Sequence, residues 1–220
     1  EVTRAVPDEL TIGAALIAAP DGSGAKVAAL VPCHCDPATA DDDIEAVRAF
    51  GRPLLDAVQP MPYPVVNTLL DPAFPAGACN YWKSGFLDEL SDAAIDVLVS
   101  SYDEVPSPMT GIFLDHLHGA ATRVDPAATA FPHRTEAFSV LILGQWATPD
   151  ETAENIAWVR RTYDALRPHL SGRRYSNFMA ADDTALIDSA YDTNRSRLSD
   201  VKRRYDPDNV FHLNVNVTPA

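Results

Sequence analysis

Gly111–His118 reads GIFLDHLH and Phe138–Trp146 reads FSVLILGQW. The first stretch alternates as a strand and the second is an almost wholly apolar strand, since apolar residues at period two mark one face of a sheet. That period sends successive side chains to opposite faces, so His116 and His118 are neighbours on one of them. Upstream, Thr11–Ala19 and Ala25–Val31 are apolar runs joined by Pro20-Asp21-Gly22-Ser23-Gly24, a hairpin with a glycine-containing loop. Cys79–Phe86, CNYWKSGF, is a further strand rich in aromatic side chains.

Helices follow pairs of strands. An acidic start at Thr39–Ile44 puts Ile44 and Val47 on one face, with Gly51 as the stop. Tyr63-Pro64 opens a short helix carrying Val65, Val66, Leu69 and Leu70, ended by Asp71-Pro72. Ser91 caps an amphipathic helix with Ile95, Leu98, Val99 and Tyr102 at helical spacing. Thr148-Pro149-Asp150-Glu151 is a capping box that launches the longest helix, with Ile156, Val159, Tyr163 and Leu166 inward until Pro168. Tyr175–Met179 reads as extended, residues 186–191 and 194–204 as helices, and Val210–Val217 as a closing strand. This order predicts an α+β fold, an antiparallel sheet covered on one face by helices. The expected boundary lies near Pro168–Gly172, dividing 1–170 from 171–220.

Composition narrows the function. The 220 residues carry a formal net charge of −14, which disfavours nucleic acid as a partner because phosphates are repelled. Residues 1–159 hold 23 acids against 7 Lys/Arg, whereas residues 160–220 hold 8 acids against 10. The basic tail is therefore a surface of another kind, suited to local helix chemistry or to docking on an acidic or phosphate-bearing element. Arg outnumbers Lys by 14 to 3, which suggests a GC-rich bacterial genome. No run of 18 apolar residues is present and the first residues lack a signal-peptide pattern, so a cytoplasmic protein without a membrane segment is expected.

No G-x-G-x-x-G, G-x-x-x-x-G-K-[ST] or G-x-S-x-G pattern occurs. Cys33-His34-Cys35 offers too few ligands for zinc, so the expectation is buried free thiols and no metal. His116 and His118 have no third metal ligand, and a polar pocket wall or an ordinary strand end both suit them. Asn214 and Asn216 stand in an otherwise apolar run, where they either satisfy backbone at a sheet edge or meet a polar group.

Lys202…Tyr205-Asp206-Pro207-Asp208-Asn209-Val210-Phe211…Asn214-Val215-Asn216-Val217-Thr218-Pro219 resembles the closing motif of the berberine-bridge-enzyme-like, FAD-linked oxidases. Tyr81-Trp82-Lys83-Ser84, Ala130-Phe131-Pro132-His133-Arg134 and Tyr175-Ser176-Asn177 fit other segments of that family in the same order. The resemblance implies the substrate domain and carboxy-terminal segment of an FAD-dependent oxidoreductase. Such an enzyme oxidises an alcohol, sugar or C–H bond by hydride transfer to flavin. The FAD-binding loop and covalent attachment residues would then belong to an amino-terminal domain outside this sequence. Partners implied are a small-molecule substrate and either that FAD domain or a second copy docked through the tail.

By the same resemblance, Tyr175, Asn177, Asn214 and Asn216 would face the cofactor, and Tyr81, Trp82, His116 and His118 the substrate. The family's Tyr-x-Asn-Tyr stands here as Tyr175-Ser176-Asn177-Phe178, which removes one candidate base. Tyr175, three residues from Phe178, falls on the opposite face of an ideal strand, so the base would come from the missing half of the enzyme or from His116 or His118, with a bulge-redirected Tyr175 as a further candidate. The alternative is a ligand-binding or assembly domain that keeps the fold without flavin.

Overall fold

The computed structural model describes Thr3 and residues 6–220. Five strands, β1 (Leu10–Ala18), β2 (Lys26–His34), β3 (Cys79–Leu87), β4 (Gly111–Leu117) and β5 (Ala137–Trp146), form one sheet in the order β2-β1-β4-β5-β3. Every pairing is antiparallel. Helices α1 (Ala40–Arg48), α2 (Tyr63–Val66), α3 (Asp92–Asp103), α4 (Thr152–Leu166), α5 (Ile187–Tyr191) and α6 (Arg195–Tyr205) complete the chain. The α+β expectation holds. No helix among the described residues is long and apolar enough to cross a membrane.

Register decides which face is which. Gly85, Val140 and Leu114 stand side by side across β3, β5 and β4, as do Lys83, Ile142 and Ile112. On this face Leu98 and Tyr102 of α3 and Trp158, Val159 and Leu166 of α4 close a single core with Ile112, Leu114, Val140 and Ile142. Each fully buried aliphatic side chain stabilises it by about 1.5–3 kcal/mol. Trp158 is fully buried and its indole N–H donates to the Ser101 carbonyl at 2.9 Å, so this large ring leaves no unpaired donor. Gly144 is glycine because α4 sits on β5 here: an added Cβ would lie 2.8 Å from Val159 Cγ2. A second cluster, Leu10, Ile12 and Ile44, packs α1 beside the first.

Local rules hold at the ends of helices. Ser91 Oγ accepts from the Ala94 N–H at 3.3 Å, and Thr148 N–H donates to Glu151 Oε2 at 3.1 Å. Ile95 and Val99, however, are exposed, because α3 turns Ala94, Leu98 and Tyr102 to the sheet instead. Cys33, on the outer strand β2, and Cys35, just past its end, are also exposed, which corrects the expectation of buried thiols.

The tail differs from its expected form. Residues 206–220 form no strand, and Asn209 and Asn214 take left-handed φ values of 51° and 59°. Asn tolerates that region better than most residues, so the two amides mark turns and do not alternate along a strand face. The Asp206 carboxylate caps the turn, accepting from the N–H groups of Val210 (2.8 Å) and Phe211 (3.0 Å).

Candidate active-site cleft

Helices α1, α3 and α4 pack on one face of the sheet; the other face is where a site can form. Across it run Phe86, Ser139, Asp115 and Gly13 in one row and Ser84, Leu141, Phe113 and Ala15 in the next. After α4 the chain rounds the free edge of β3, where the Ser171 N–H donates to the Phe86 carbonyl at 2.8 Å. Ser84 Oγ donates to the Phe178 carbonyl at 2.6 Å, and the His133 ring bonds the Arg174 carbonyl through Nε2 at 2.8 Å. Residues 171–178 are thereby laid over one end of the open face.

The result is a cleft of about 340 Å³ with an aromatic wall of Phe86, Phe131, Tyr175 and Phe178. Its polar border is Asp115, Ser139 and the Tyr175 hydroxyl, which accepts from Asn177 Nδ2 at 2.9 Å. Phe131 meets Tyr175 edge-on at 5.6 Å, and His133 at 5.5 Å. Those rings hold one another in place, since edge-to-face pairs contribute about 0.5–1.5 kcal/mol beyond their burial. A smaller cavity, about 150 Å³, sits on the helix side among Ile12, Leu114, Phe138 and Phe50, and its walls carry no ionisable group. Among the described residues no group of three or more His, Cys, Asp or Glu could hold a metal.

Ser176–Phe178 is a single 3-10 turn, not the extended piece expected. A 3-10 turn has three residues per turn, so residues i and i+3 eclipse. Tyr175 and Phe178 therefore share a side instead of facing apart, and both line the cleft.

His116 and His118 go elsewhere. His116 pairs in register with Phe138, and the imidazole stacks on that ring at 4.8 Å and on His118 at 4.4 Å. The His116 side chain is 2% exposed, bonded through Nε2 to Glu136 at 3.1 Å. Burial holds its pKa below the ordinary value despite that carboxylate. The His118 ring bonds the Leu10 carbonyl at 2.9 Å. Although the His116 residue borders the cleft, strand alternation turns its imidazole to the helix-covered face, where it stacks on His118.

Tyr81 also faces the covered side. Its hydroxyl donates to Asp182 at 2.8 Å, within a network where Lys83 Nζ binds Asp182 at 2.6 Å and Asp183 at 2.5 Å and Arg160 reaches Asp182 at 3.2 Å. This network fastens residues 182–183 to β3. Trp82 shares the open face with Ser84 and Phe86, its indole N–H buried without an acceptor. Asn216 likewise has a buried amide oxygen with no donor. Tyr175 and Asn177 meet at the cleft; Asn214 and Asn216 belong to the turn-rich tail, which Tyr191 ties down by donating to the Val215 carbonyl at 3.2 Å.

Asp115 escaped the sequence reading. It sits opposite Ser139 in register and, among the described residues, makes no hydrogen bond or ion pair. Surrounding protein atoms push its carboxyl above the ordinary value while it stays open to the cleft. The signal was present: an acid alternating with the histidines along β4 must take the face they leave.

Comparison with known proteins adds a family. Residues 174–218 match the family described as Berberine and berberine like. Over 178 residues the chain is 27% identical to an FAD-linked oxidoreductase of Dictyostelium discoideum, covering 80% of this chain and 39% of the relative. The solved structure of BBE-like 28 from Arabidopsis thaliana superposes with a TM-score of 0.79 at 20% identity, covering 98% of this chain and 51% of that one. A glycopeptide hexose oxidase solved in complex with teicoplanin gives a TM-score of 0.72 at 24% identity, covering 96% and 47%. At such identities the structural likeness speaks for the fold alone. The chain spans about half the length of the solved structures it matches, and less of the Dictyostelium relative.

Proposed function

We propose that this chain, a berberine-bridge-enzyme-like member of the FAD-linked oxidoreductases, forms the substrate-facing part of an oxidase acting on an alcohol or sugar. The observation that carries the reading is the cleft on the bare face of the sheet, closed at one end by residues 174–178 of the family-matched segment. A planar ring of a substrate would lie against Phe86, Phe131 and Phe178, with Ser139 and Tyr175 as hydrogen-bonding groups at its rim.

The chain's own groups fit a flavin. Asn216 Oδ1 and Trp82 Nε1 are buried without a partner, an acceptor and a donor of the kind that ring heteroatoms satisfy. Tyr175 and Asn177, bonded to each other, would support the cofactor from the cleft side, and Asn214 and Asn216 from the tail. When bound, the flavin supplies hydride acceptance and passes the electrons to dioxygen. The sequence contains no glycine-rich phosphate loop, so the diphosphate would be held by a partner domain. Val210, Phe211 and Leu213, 66%, 81% and 81% exposed, are the surface proposed to meet that domain or a second copy.

The test is to purify the full-length gene product, release any flavin by acid and record anaerobic bleaching on mixing with hexoses and benzylic alcohols. A coloured protein bleached by one of them is expected. A colourless product that takes up no FAD would overturn the oxidase reading in favour of ligand binding without flavin.

A further inference from the structure

We infer that Cys33 and Cys35 form a two-thiolate site for a soft monovalent cation of the Cu(I) type, independent of the flavin reading above. The pair sits at the end of β2, an outer strand of the sheet, and both thiols are exposed and free. Cys33 lies opposite Thr11 in register. The Cys35 N–H donates to the Glu9 carbonyl at 3.0 Å, which carries the ladder one residue past the strand. Alternation then returns the Cys35 side chain to the side that Cys33 takes.

Spacing decides what the pair can do. A strand rises about 3.3 Å per residue, so side chains two residues apart leave the backbone roughly 6.6 Å from each other. A disulfide needs its Cβ atoms within about 3.5–4.5 Å, so forming one here would bend the strand. A metal ion asks less. With metal–sulfur bonds of about 2.3 Å, two thiolates on opposite sides of one ion stand about 4.6 Å apart. Two sulfurs turned inward across an extended strand meet that span without moving the backbone.

Further ligands are withheld. His34, between the two cysteines, turns to the helix-covered face opposite Leu10, its side chain 3% exposed. Its Nε2 bonds Asp43 at 2.9 Å and its Nδ1 accepts from the Asp36 N–H at 3.1 Å, so both ring nitrogens are engaged. Among the described residues no three of His, Cys, Asp and Glu stand where they could share a metal. Zinc, which takes four ligands, is thereby disfavoured, whereas thiolates select soft Cu(I) and two of them suffice for a linear ion. Asp41, Asp42 and Asp43 open α1 close by in the chain and add the negative charge that draws a cation to this corner. On binding, two S–H protons pass to water and two S–Cu bonds form; copper stays Cu(I) and no electron moves.

The experiment titrates reduced full-length protein with Cu(I) under argon against the chelator bicinchoninate, and repeats the titration with Ag(I) and Zn(II). The parent is expected to take up one more equivalent of Cu(I), and of Ag(I), than the Cys33→Ser/Cys35→Ser double variant. Each single variant should hold that equivalent roughly 10²–10⁴-fold more weakly, because the second thiolate otherwise binds intramolecularly. Cys79→Ser, on the opposite outer strand β3, should bind as the parent does. X-ray absorption of the copper that distinguishes parent from double variant should show two sulfur neighbours and no nitrogen. Because both thiols are exposed, the serine variants should melt with the parent, which separates loss of metal from loss of fold. Equal Cu(I) uptake by parent and double variant overturns the proposal. So does an equivalent of Zn(II) lost in the double variant, or a nitrogen neighbour at the copper, since either would mean a site with further ligands.

Discussion

Tyr175 and Phe178 meet edge to face, ring centroids 5.1 Å apart and planes 77° apart, so two rings of the cleft's aromatic wall brace each other. Phe178→Ala removes one brace while leaving its carbonyl free to accept from Ser84 Oγ. Because Phe178 is only half-buried, the expected loss is about 1–2 kcal/mol, below that of a fully buried Phe. Urea unfolding measures it; a midpoint equal to the parent would show that the rings do not support each other.

The Lys83 ammonium is a buried charge tying residues 182–183 to the sheet, its side chain 10% exposed between two carboxylates. Burial pulls its pKa down, yet Asp182 and Asp183 outweigh that and hold it above 10.5. Lys83→Met leaves Asp183 buried without its cation, at a cost of about 3 kcal/mol. Thermal unfolding near neutral pH should show the loss, and limited proteolysis should cut first between residues 171 and 186.

The same network sets an acid limit. Burial opposes ionisation of Asp182, but hydrogen bonds from Lys83 and Tyr81 bring its carboxyl from 3.8 down to about 2. A depressed carboxylate stabilises the fold fully above its unfolded pKa and loses that contribution as pH falls toward the folded one. Stability should therefore drop between pH 3.8 and about 2, and the drop should be smaller in Asp182→Asn.

A second pH window belongs to the imidazoles. Burial lowers both His116 and His133 below 6.5, partly offset by Glu136 for the first and by the Arg174 carbonyl for the second. A histidine kept neutral in the fold binds its proton more readily when unfolded, so stability should fall as pH drops below 6.5. His116→Phe, which preserves stacking on Phe138, should flatten that slope. An unchanged slope in urea midpoints from pH 7.5 to 5 would count against it.

Self-association of the 220-residue chain should depend on the tail. Phe211→Ser with Leu213→Ser removes two rings or branches that are 81% exposed, so the double variant should sediment as a smaller species at equal concentration. Identical sedimentation would show that the patch does not drive contact between copies.

The sheet was legible because strand alternation and helix caps are local: Ser91, Thr148 and the β4 and β5 runs carry their own signals. The tail was not. Asn214 and Asn216 at period two suggested a strand, yet Asn209 and Asn214 accept left-handed backbone and the Asp206 carboxylate takes the N–H groups a ladder would need. The direction of the His116 ring was hidden for a different reason. Period two tells which residues share a face but not which face the helices will cover, and that depended on the packing of α3 and α4. The same rule, read from the other side, brings Asp115 into the cleft.

Lys83 bonds Asp183, 100 residues further along the chain. Contacts of such separation close large loops, whose entropic cost must be met before they return any stabilisation. The hairpin of β1 and β2 can form as soon as its residues are made, but the cleft waits for its clamp, residues 171–183. The sheet is therefore made before the segment that completes its binding surface: until residues 171–183 arrive, the outer strand β3 has an unsheltered edge on which a nascent neighbour could pair. Ribosome-tethered chains stopped before residue 171 should accordingly aggregate more readily than finished ones on release.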